Sequence, residues 1–207
     1  MTIEIWLAFV AASTVLLLIP GPTILTVISY SVAHGRRANV PLVLAVALGD
    51  STALVFSLLG LGALLATSAF WFTLIKWVGG LYLLYLGITL LRSSVHTPQH
   101  DSPSIPGSRW KLFANTWLVT ALNPKGIVFF IAFLPQSLIA TEAVAPQLWI
   151  LSITFVLLAT LNATMYAMFA GSARQLLSSP VAQKRFNLTG GALLFGAGIW
   201  ALTTRQQ

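Results

Sequence analysis

Charged residues are scarce in this sequence, and cysteine is absent from it. Of 207 residues, 7% are charged and 57% are hydrophobic, and the mean hydropathy is +0.87. A soluble domain carries roughly 25% charged residues, so the composition excludes a soluble globular protein and predicts a membrane protein. The absence of cysteine excludes disulfides, thiolate metal ligands and cysteine nucleophiles. We expect no metal site and no cofactor.

Acidic residues are also few, and the formal net charge of +7 raises the question of nucleic-acid binding. Nucleic-acid-binding proteins present their basic residues as a patch on a soluble face. Here the basic residues lie mostly at the ends of apolar runs, so we expect a lipid bilayer as the partner and no nucleic acid.

The residue sets that enzymes need are missing as well. The three histidines lie in polar segments or at their edges, outside the apolar runs. An aspartyl dyad needs two carboxyl groups in one site, but the apolar runs hold one acid. No HExxH, phosphate-loop or dinucleotide-binding pattern occurs. We therefore predict that the chain is not an enzyme.

Apolar runs predict an all-α membrane protein of about six spanning helices in a single domain, residues 1–207. A polar linker, residues 93–111, separates a first repeat, 1–92, from a second, 112–207. The first run follows Glu4 and no basic residue, so it is interpreted as a retained span, not a signal peptide. The predicted spans are residues 4–33, 40–66, 70–91, 112–139, 147–171 and 188–204.

The basic residues favour one side of this arrangement. On the opposite side we place Lys76 and Arg205, with Glu4 and Glu142. Because cytoplasmic loops are enriched in Lys and Arg, we predict that both termini lie outside the cell. The eight residues assigned to the cytoplasmic side are Arg36, Arg37, Arg92, Arg109, Lys111, Arg174, Lys184 and Arg185.

One acid, Asp50, lies deep within a predicted span. It is about 11 residues into span 2, which corresponds to roughly 16 Å and hence to the middle of the bilayer core. An ionisable group at that depth costs about 2.5–3.5 kcal/mol or more and usually faces a cavity or a partner. The alternative is a structural hydrogen bond to a neighbouring helix.

Two predicted spans are interrupted near their middles. Pro20-Gly21-Pro22 interrupts span 1, and Asn123-Pro124-Lys125-Gly126 interrupts span 4, the first span of the second repeat. Proline removes a backbone donor and is suited to the first turn of a helix, so helices 1 and 4 are predicted to be broken near the midplane. Simple proline kinks are the alternative. The matching breaks indicate two inverted three-helix repeats, as in secondary transporters.

Two half-helix N-termini that meet near the midplane would attract a carboxylate. Asn162 holds roughly the place in the second repeat that Asp50 holds in the first. Lys125 is open to three interpretations: contact with a substrate carboxylate, pairing with Asp50, or a charged cap. The candidate substrate-binding residues are Gly21, Pro22, Thr23, Asp50, Asn123, Pro124, Lys125, Gly126 and Asn162.

A helical bundle with a buried acid, paired breaks and no catalytic set is typical of a secondary transporter for a small polar solute. A channel or facilitator for such a solute is the second interpretation, and an exporter of a different metabolite or ion is another. Glycine-rich faces would permit a homodimer, although the same glycines can be used within the bundle.

The motifs together resemble the LysE/RhtB family of bacterial amino-acid exporters. Besides the two interrupted segments, the resemblance rests on an ordered set across nearly the whole chain: Gly35-Arg36-Arg37, Gly49-Asp50, Gly79-Gly80, Tyr82, Tyr85, Gly87, Phe133, Pro135 and Gln136. It implies six spans in the inner membrane and proton-driven export of amino acids or close derivatives. In overall pattern the chain is most similar to the homoserine, threonine and leucine exporters.

One departure concerns Asn162, where the resemblance leads us to expect an acid. Its absence leaves Asp50 as the one residue for proton coupling, and it argues against a cationic substrate because a second buried negative charge is missing. The expected mechanism is antiport, in which Asp50 holds the ammonium group of a neutral amino acid and a proton from outside displaces it.

Overall fold

The computed structural model describes residues 1–65, 108–139, 141–173 and 179–203, together with individual positions between 77 and 92. This part of the chain is all helical and has no strand, which confirms the all-α prediction. Most of predicted span 3 and most of the predicted linker lie outside the described residues. The elements are α1 (Ile3–Leu18), α2 (Pro22–His34), a 3-10 turn (Gly35–Ala38), α3 (Asn39–Leu65), α4 (Arg109–Ala121), α5 (Pro124–Phe133), a second 3-10 turn (Pro135–Ser137), α6 (Val144–Met168) and α7 (Pro180–Thr203).

Two helices extend beyond the predicted spans. Helix α4 begins at Arg109 and not at 112, so the last residues assigned to the linker are helical. Helix α7 begins at Pro180 and not at 188. Proline suits the first turn of a helix, and the exposed Lys184 and Arg185 follow it. Both differences arise because a helix can continue past the apolar run that hydropathy detects.

Helices α1 and α6 run in the same direction along their contact. Trp6 Nε1 donates a hydrogen bond to Thr154 Oγ1 at 3.1 Å. Further along both helices, Asn162 Nδ2 donates to the Leu17 carbonyl oxygen at 3.1 Å. Because the residue numbers increase on both helices from the first contact to the second, the two helices are parallel.

Helices α2 and α3 pass α4 in opposite directions. The Tyr30 hydroxyl of α2 accepts a hydrogen bond from Asn115, and Thr23 bonds to Asn123. On α3 the order is the reverse: Leu42 packs in one cluster with Leu112, and Thr52 Oγ1 accepts a hydrogen bond from Trp117 Nε1. The chain therefore reverses at the 3-10 turn, whose first residue, Gly35, has a φ of 64°. Glycine tolerates this left-handed conformation because it has no Cβ.

An aromatic cluster, Phe9, Phe129, Phe130, Phe133 and Phe155, fills the core on one side of the two helix breaks. Phe130 and Phe155 meet edge to face with ring centroids 4.6 Å apart, and Phe129 stacks on Phe133 at 5.1 Å. All five rings are buried. The cluster lies towards the end of the molecule where the amino group of Met1 pairs with Glu142.

By length and composition, two helical stretches of the described chain can cross a membrane. They are Pro22–Gly60, which contains the reversal, and Val144–Met168. A third results if Arg109–Ala121 and Pro124–Ser137, which meet at a bend of 41°, form one broken span. Ile3–Leu18 is a shorter apolar helix. The arrangement of six spans stays a prediction.

Candidate transport site

The first break in the chain separates α1 from α2. Helix α1 ends at Leu18, Ile19 is extended, and α2 begins at Pro22 after the cap residue Gly21. The first backbone hydrogen bond of α2 runs from Leu25 N–H to Gly21 O. The amides at the start of this helix consequently point out of it without an intrahelical acceptor.

The second break separates α4 from α5 and has similar chemistry. Helix α4 ends at Ala121, and α5 begins at Pro124. The Asn123 side chain caps α5 by accepting a hydrogen bond from Lys125 N–H at 3.2 Å. The first backbone bond of α5 runs from Ile127 N–H to Asn123 O. The proline pattern predicted both breaks, and the structure has both.

The two breaks lie against each other. Asn123 Nδ2 donates a hydrogen bond to Thr23 Oγ1 at 3.1 Å, which joins the cap of α5 to the first turn of α2. A Cβ added to Gly21 would lie 3.5 Å from Lys125 Cδ. The N-termini of α2 and α5 are therefore neighbours.

The C-terminus of α1 is capped by side chains from two other helices. Helix ends leave carbonyl groups without an intrahelical donor, and here three successive carbonyls each accept a hydrogen bond. The donors are Asn162 to Leu17 at 3.1 Å, Tyr166 to Leu18 at 2.9 Å and Lys125 to Ile19 at 2.6 Å. This end of α1 is thereby held to α5 and α6.

A cavity of about 30 Å³ lies between the breaks, α3 and α6. Its polar lining comes from both breaks and from two helices that face them, and its apolar lining includes a ring of the aromatic cluster. The lining residues are Leu16, Leu17, Gly21, Thr23, Ile24, Val46, Asp50, Asn123, Lys125, Gly126, Phe155, Ala159 and Asn162.

Asp50 enters this cavity from α3 and is 8% exposed. It has no hydrogen bond or ion pair with another described residue, and its attraction to Lys125 acts through space. The preceding residue, Gly49, lies against α4: a Cβ there would be 2.6 Å from Thr120 Cβ and 3.0 Å from the Trp117 carbonyl oxygen. Only glycine permits this approach, which fixes the height of Asp50 beside the second break.

The cavity offers groups of both charges to a ligand. The amides of Thr23, Ile24 and Gly126 lie in the first turns of α2 and α5, where the helix dipole is positive. The Asp50 carboxylate supplies the negative charge. A small zwitterion complements such an arrangement, because its carboxylate can accept from the amides while its ammonium group faces the acid.

Comparison with known proteins identifies the family. The family model described as LysE type translocator matches residues 14–205. The chain belongs to this family. An uncharacterized membrane protein of Vibrio cholerae serotype O1 is 32% identical to this LysE-type chain over 209 residues, covering 99% of the chain and 100% of the relative.

A second relative has a functional name. It is a homoserine/homoserine lactone efflux protein of Salmonella typhimurium, which is 31% identical over 206 residues and covers 100% of both chains. An uncharacterized membrane protein of Bacillus subtilis is 27% identical over 201 residues, covering 93% of the chain and 96% of the relative. No solved structure matches the chain.

The structure brings most of the predicted site residues of this LysE-type chain together. Gly21, Thr23, Asp50, Asn123, Lys125, Gly126 and Asn162 line the cavity. Pro22 and Pro124 begin α2 and α5 but are exposed and are not among the lining residues. They act on the site by starting α2 and α5, whose first turns contribute lining residues.

Sequence reasoning missed the apolar lining and one cap. Val46 precedes Asp50 by one helical turn, and Phe155, Ala159 and Asn162 follow one face of α6. The missed cap is Tyr166, which is one turn beyond Asn162 on the same helix. The helical spacing of three and four residues from the polar candidates would have found Val46, Ala159 and Tyr166. Phe155 lies a further turn away from Asn162.

Proposed function

We propose that this chain is a secondary active exporter that moves amino acids or close derivatives out of the cytoplasm. The observation that carries the proposal is the cavity in which the buried Asp50 carboxylate faces the N-termini of α2 and α5. Membership of the translocator family and the efflux named for the Salmonella relative support the same function.

The proposed substrate is a neutral amino acid such as homoserine. Its carboxylate would accept hydrogen bonds from the first-turn amides at Thr23 and Gly126, and its ammonium group would face Asp50. A substrate with a cationic side chain would bring a second positive charge of its own, besides its ammonium group. The cavity already contains Lys125. Among the described lining residues Asp50 is the one acid, so that second charge would have no buried partner.

The proposed architecture is six spans in the bacterial inner membrane, built as two inverted repeats with both termini outside. Support comes from the opposed directions of the two broken segments, because α1–α2 and α4–α5 meet at their breaks and pass each other antiparallel. Arg37 and Arg109 lie together at one end of the molecule, as the positive-inside rule expects of a cytoplasmic face.

Proton coupling is proposed to act through Asp50. With Asp50 ionised, the substrate ammonium group is held in the cavity. Rocking of one repeat against the other opens the cavity outwards, and a proton that enters from outside neutralises the carboxylate and releases the substrate. The protonated carrier returns and releases its proton to the cytoplasm, which completes an exchange of one substrate for one inward-moving proton.

The test is efflux of radiolabelled homoserine from preloaded proteoliposomes with an acidic exterior. Efflux by the wild type should accelerate several-fold with the pH gradient, and Asp50→Asn should remove that acceleration. Ser51→Ala is the matched control, because Ser51 bonds to Ala47 within its own helix and does not line the cavity. Gradient-driven efflux by Asp50→Asn at the wild-type rate would exclude Asp50 from coupling.

The same vesicles distinguish an exporter from a channel. An exporter should accumulate homoserine inside the vesicles against its concentration gradient when the vesicle interior is made acidic, because protons then leave in exchange for the solute. A channel would equilibrate the solute and stop. Equilibration without accumulation would therefore overturn the proposed active export and leave facilitated passage.

A further inference from the structure

A second cavity lies at the basic end of the molecule, away from the proposed transport site. It has a volume of about 310 Å³ and lies where the end of α2, the 3-10 turn and the start of α3 meet the start of α4. None of its lining residues is shared with the first cavity. The lining residues are His34, Arg37, Ala38, Pro41, Ser108, Arg109 and Leu112.

Two exposed arginines, Arg37 and Arg109, line this cavity, and no described residue neutralises them. Neither Arg37 nor Arg109 has a hydrogen bond or an ion pair with a described residue. Of the acids in the described residues, Glu142 pairs with Met1 at the opposite end, Asp50 lines the first cavity, and Glu4 is in the first turn of α1. The cavity walls thus carry net positive charge.

The start of α4 adds backbone donors to the same place. Ser108 is the cap residue but its side chain makes no capping hydrogen bond, and the first backbone bond of α4 runs from Leu112 N–H to Ser108 O. The amides before Leu112 are without intrahelical acceptors. His34 closes the opposite wall, where its Nδ1 is 3.2 Å from the Tyr30 carbonyl oxygen.

Apolar side chains flank these donors on the outside. Trp110, next to Arg109, is 72% exposed and stacks on Phe113 with ring centroids 5.5 Å apart. Val40, next to Pro41, is 68% exposed. Exposed tryptophan beside arginine is typical of the membrane interface, where phosphate groups and the first carbons of acyl chains meet.

We propose that this cavity binds the phosphate group of an anionic phospholipid. Arg37 and Arg109 contact the phosphate oxygens, the first amides of α4 donate to the same group, and the acyl chains run along Trp110 and Val40. Two guanidinium groups suit a phosphate because each offers a planar fork of donors. The site joins the α2–α3 turn to α4, so a bound lipid would hold the two proposed repeats together at this end.

The experiment measures lipid binding to the full-length chain in detergent micelles by native mass spectrometry. Phosphatidylglycerol and phosphatidylcholine of the same acyl length are titrated separately. The wild type should bind phosphatidylglycerol about tenfold more tightly or better, since each nearby basic residue contributes on the order of a fewfold to binding of an anionic lipid. The Arg37→Gln, Arg109→Gln double variant should remove that preference.

The matched control is the Arg36→Gln, Lys111→Gln double variant. It removes the same charge from two exposed residues at the same end that do not line the cavity, and it should keep the preference. If both double variants lose the preference for phosphatidylglycerol equally, the lipid is attracted to the basic surface in general. That result would overturn the proposed site. If the first double variant does not fold, the single variants Arg37→Gln and Arg109→Gln should each lose part of the preference, and an unchanged preference in both overturns the proposal.

A competition experiment distinguishes binding of a phospholipid from binding of a free anion. Millimolar inorganic phosphate, added to the wild type, should leave phosphatidylglycerol bound and should not raise the unfolding temperature. Displacement of the lipid by phosphate, with a saturable rise in unfolding temperature that depends on Arg37 and Arg109, would identify a soluble anion as the ligand and overturn the lipid assignment.

Discussion

The ammonium group of Lys125 donates a hydrogen bond to the carbonyl oxygen of Ile19, with 2.6 Å between Nζ and O. This contact joins the first turn of α5 to the extended residue that follows α1. A cation at a helix C-terminus is favourable because the dipole is negative there. Three roles were considered for Lys125, and in this conformation its contact is that of a charged cap.

The Lys125 cap makes the first prediction. Lys125→Met should lower the free energy of unfolding by about 1–3 kcal/mol, because the Ile19 carbonyl loses its donor in a partly buried site. Lys125→Gln should recover part of this loss, since an amide can donate. The measurement is thermal or denaturant unfolding in detergent.

A substrate-contact role for Lys125 predicts a different pattern. In that case Lys125→Met would raise the KM for homoserine efflux and leave stability unchanged. Lys111→Met is the control for loss of a lysine, because Lys111 is exposed and does not line the cavity.

The close approach of α3 and α4 at Gly49 makes the second prediction. Gly49→Ala should destabilise the protein by about 1–3 kcal/mol, because the new methyl group would overlap Thr120 and the backbone at Trp117. It should also reduce efflux by moving Asp50. Gly60→Ala is the matched control, since a Cβ at Gly60 meets nothing within 4 Å. Equal free energies of unfolding for Gly49→Ala and Gly60→Ala would contradict the tight packing of α3 against α4 at Gly49.

Asn162 makes the third prediction, which concerns charge selection. Asn162→Asp adds a second acid to the cavity and should shift the ratio of lysine to homoserine efflux by about tenfold in favour of lysine, equivalent to about 1.4 kcal/mol. Asn162→Leu, which also loses the bond to the Leu17 carbonyl but adds no charge, should not shift the ratio. A shift of the same size in both variants would contradict the electrostatic explanation.

The aromatic cluster makes the fourth prediction. Phe155 both lines the cavity and packs against Phe129 and Phe130, so it closes the cavity towards the Met1 end. Phe155→Ala should cost about 3–5 kcal/mol of stability and should increase homoserine efflux in the absence of a pH gradient. Phe169→Ala, at an exposed position, is the control and should do neither.

Much of the candidate site was predictable because prolines and a lone buried acid leave strong local signals. Proline removes a backbone donor wherever it stands, so the breaks before Pro22 and Pro124 did not depend on the rest of the fold. The caps on α1 were not predictable in this way. Asn162 and Tyr166 are more than 140 residues from the carbonyls they bond, and no local pattern pairs residues at that distance.

Composition and local pattern alone determine that this chain is a helical membrane protein with two interrupted helices, because hydropathy and proline act through the nearest turns of the chain. Tertiary structure decides which donor meets which carbonyl. Lys125 could have bound substrate, paired with Asp50 or capped a helix, and the crossing of the two breaks, with Gly49 bringing α3 close to α4, places its ammonium group at Ile19.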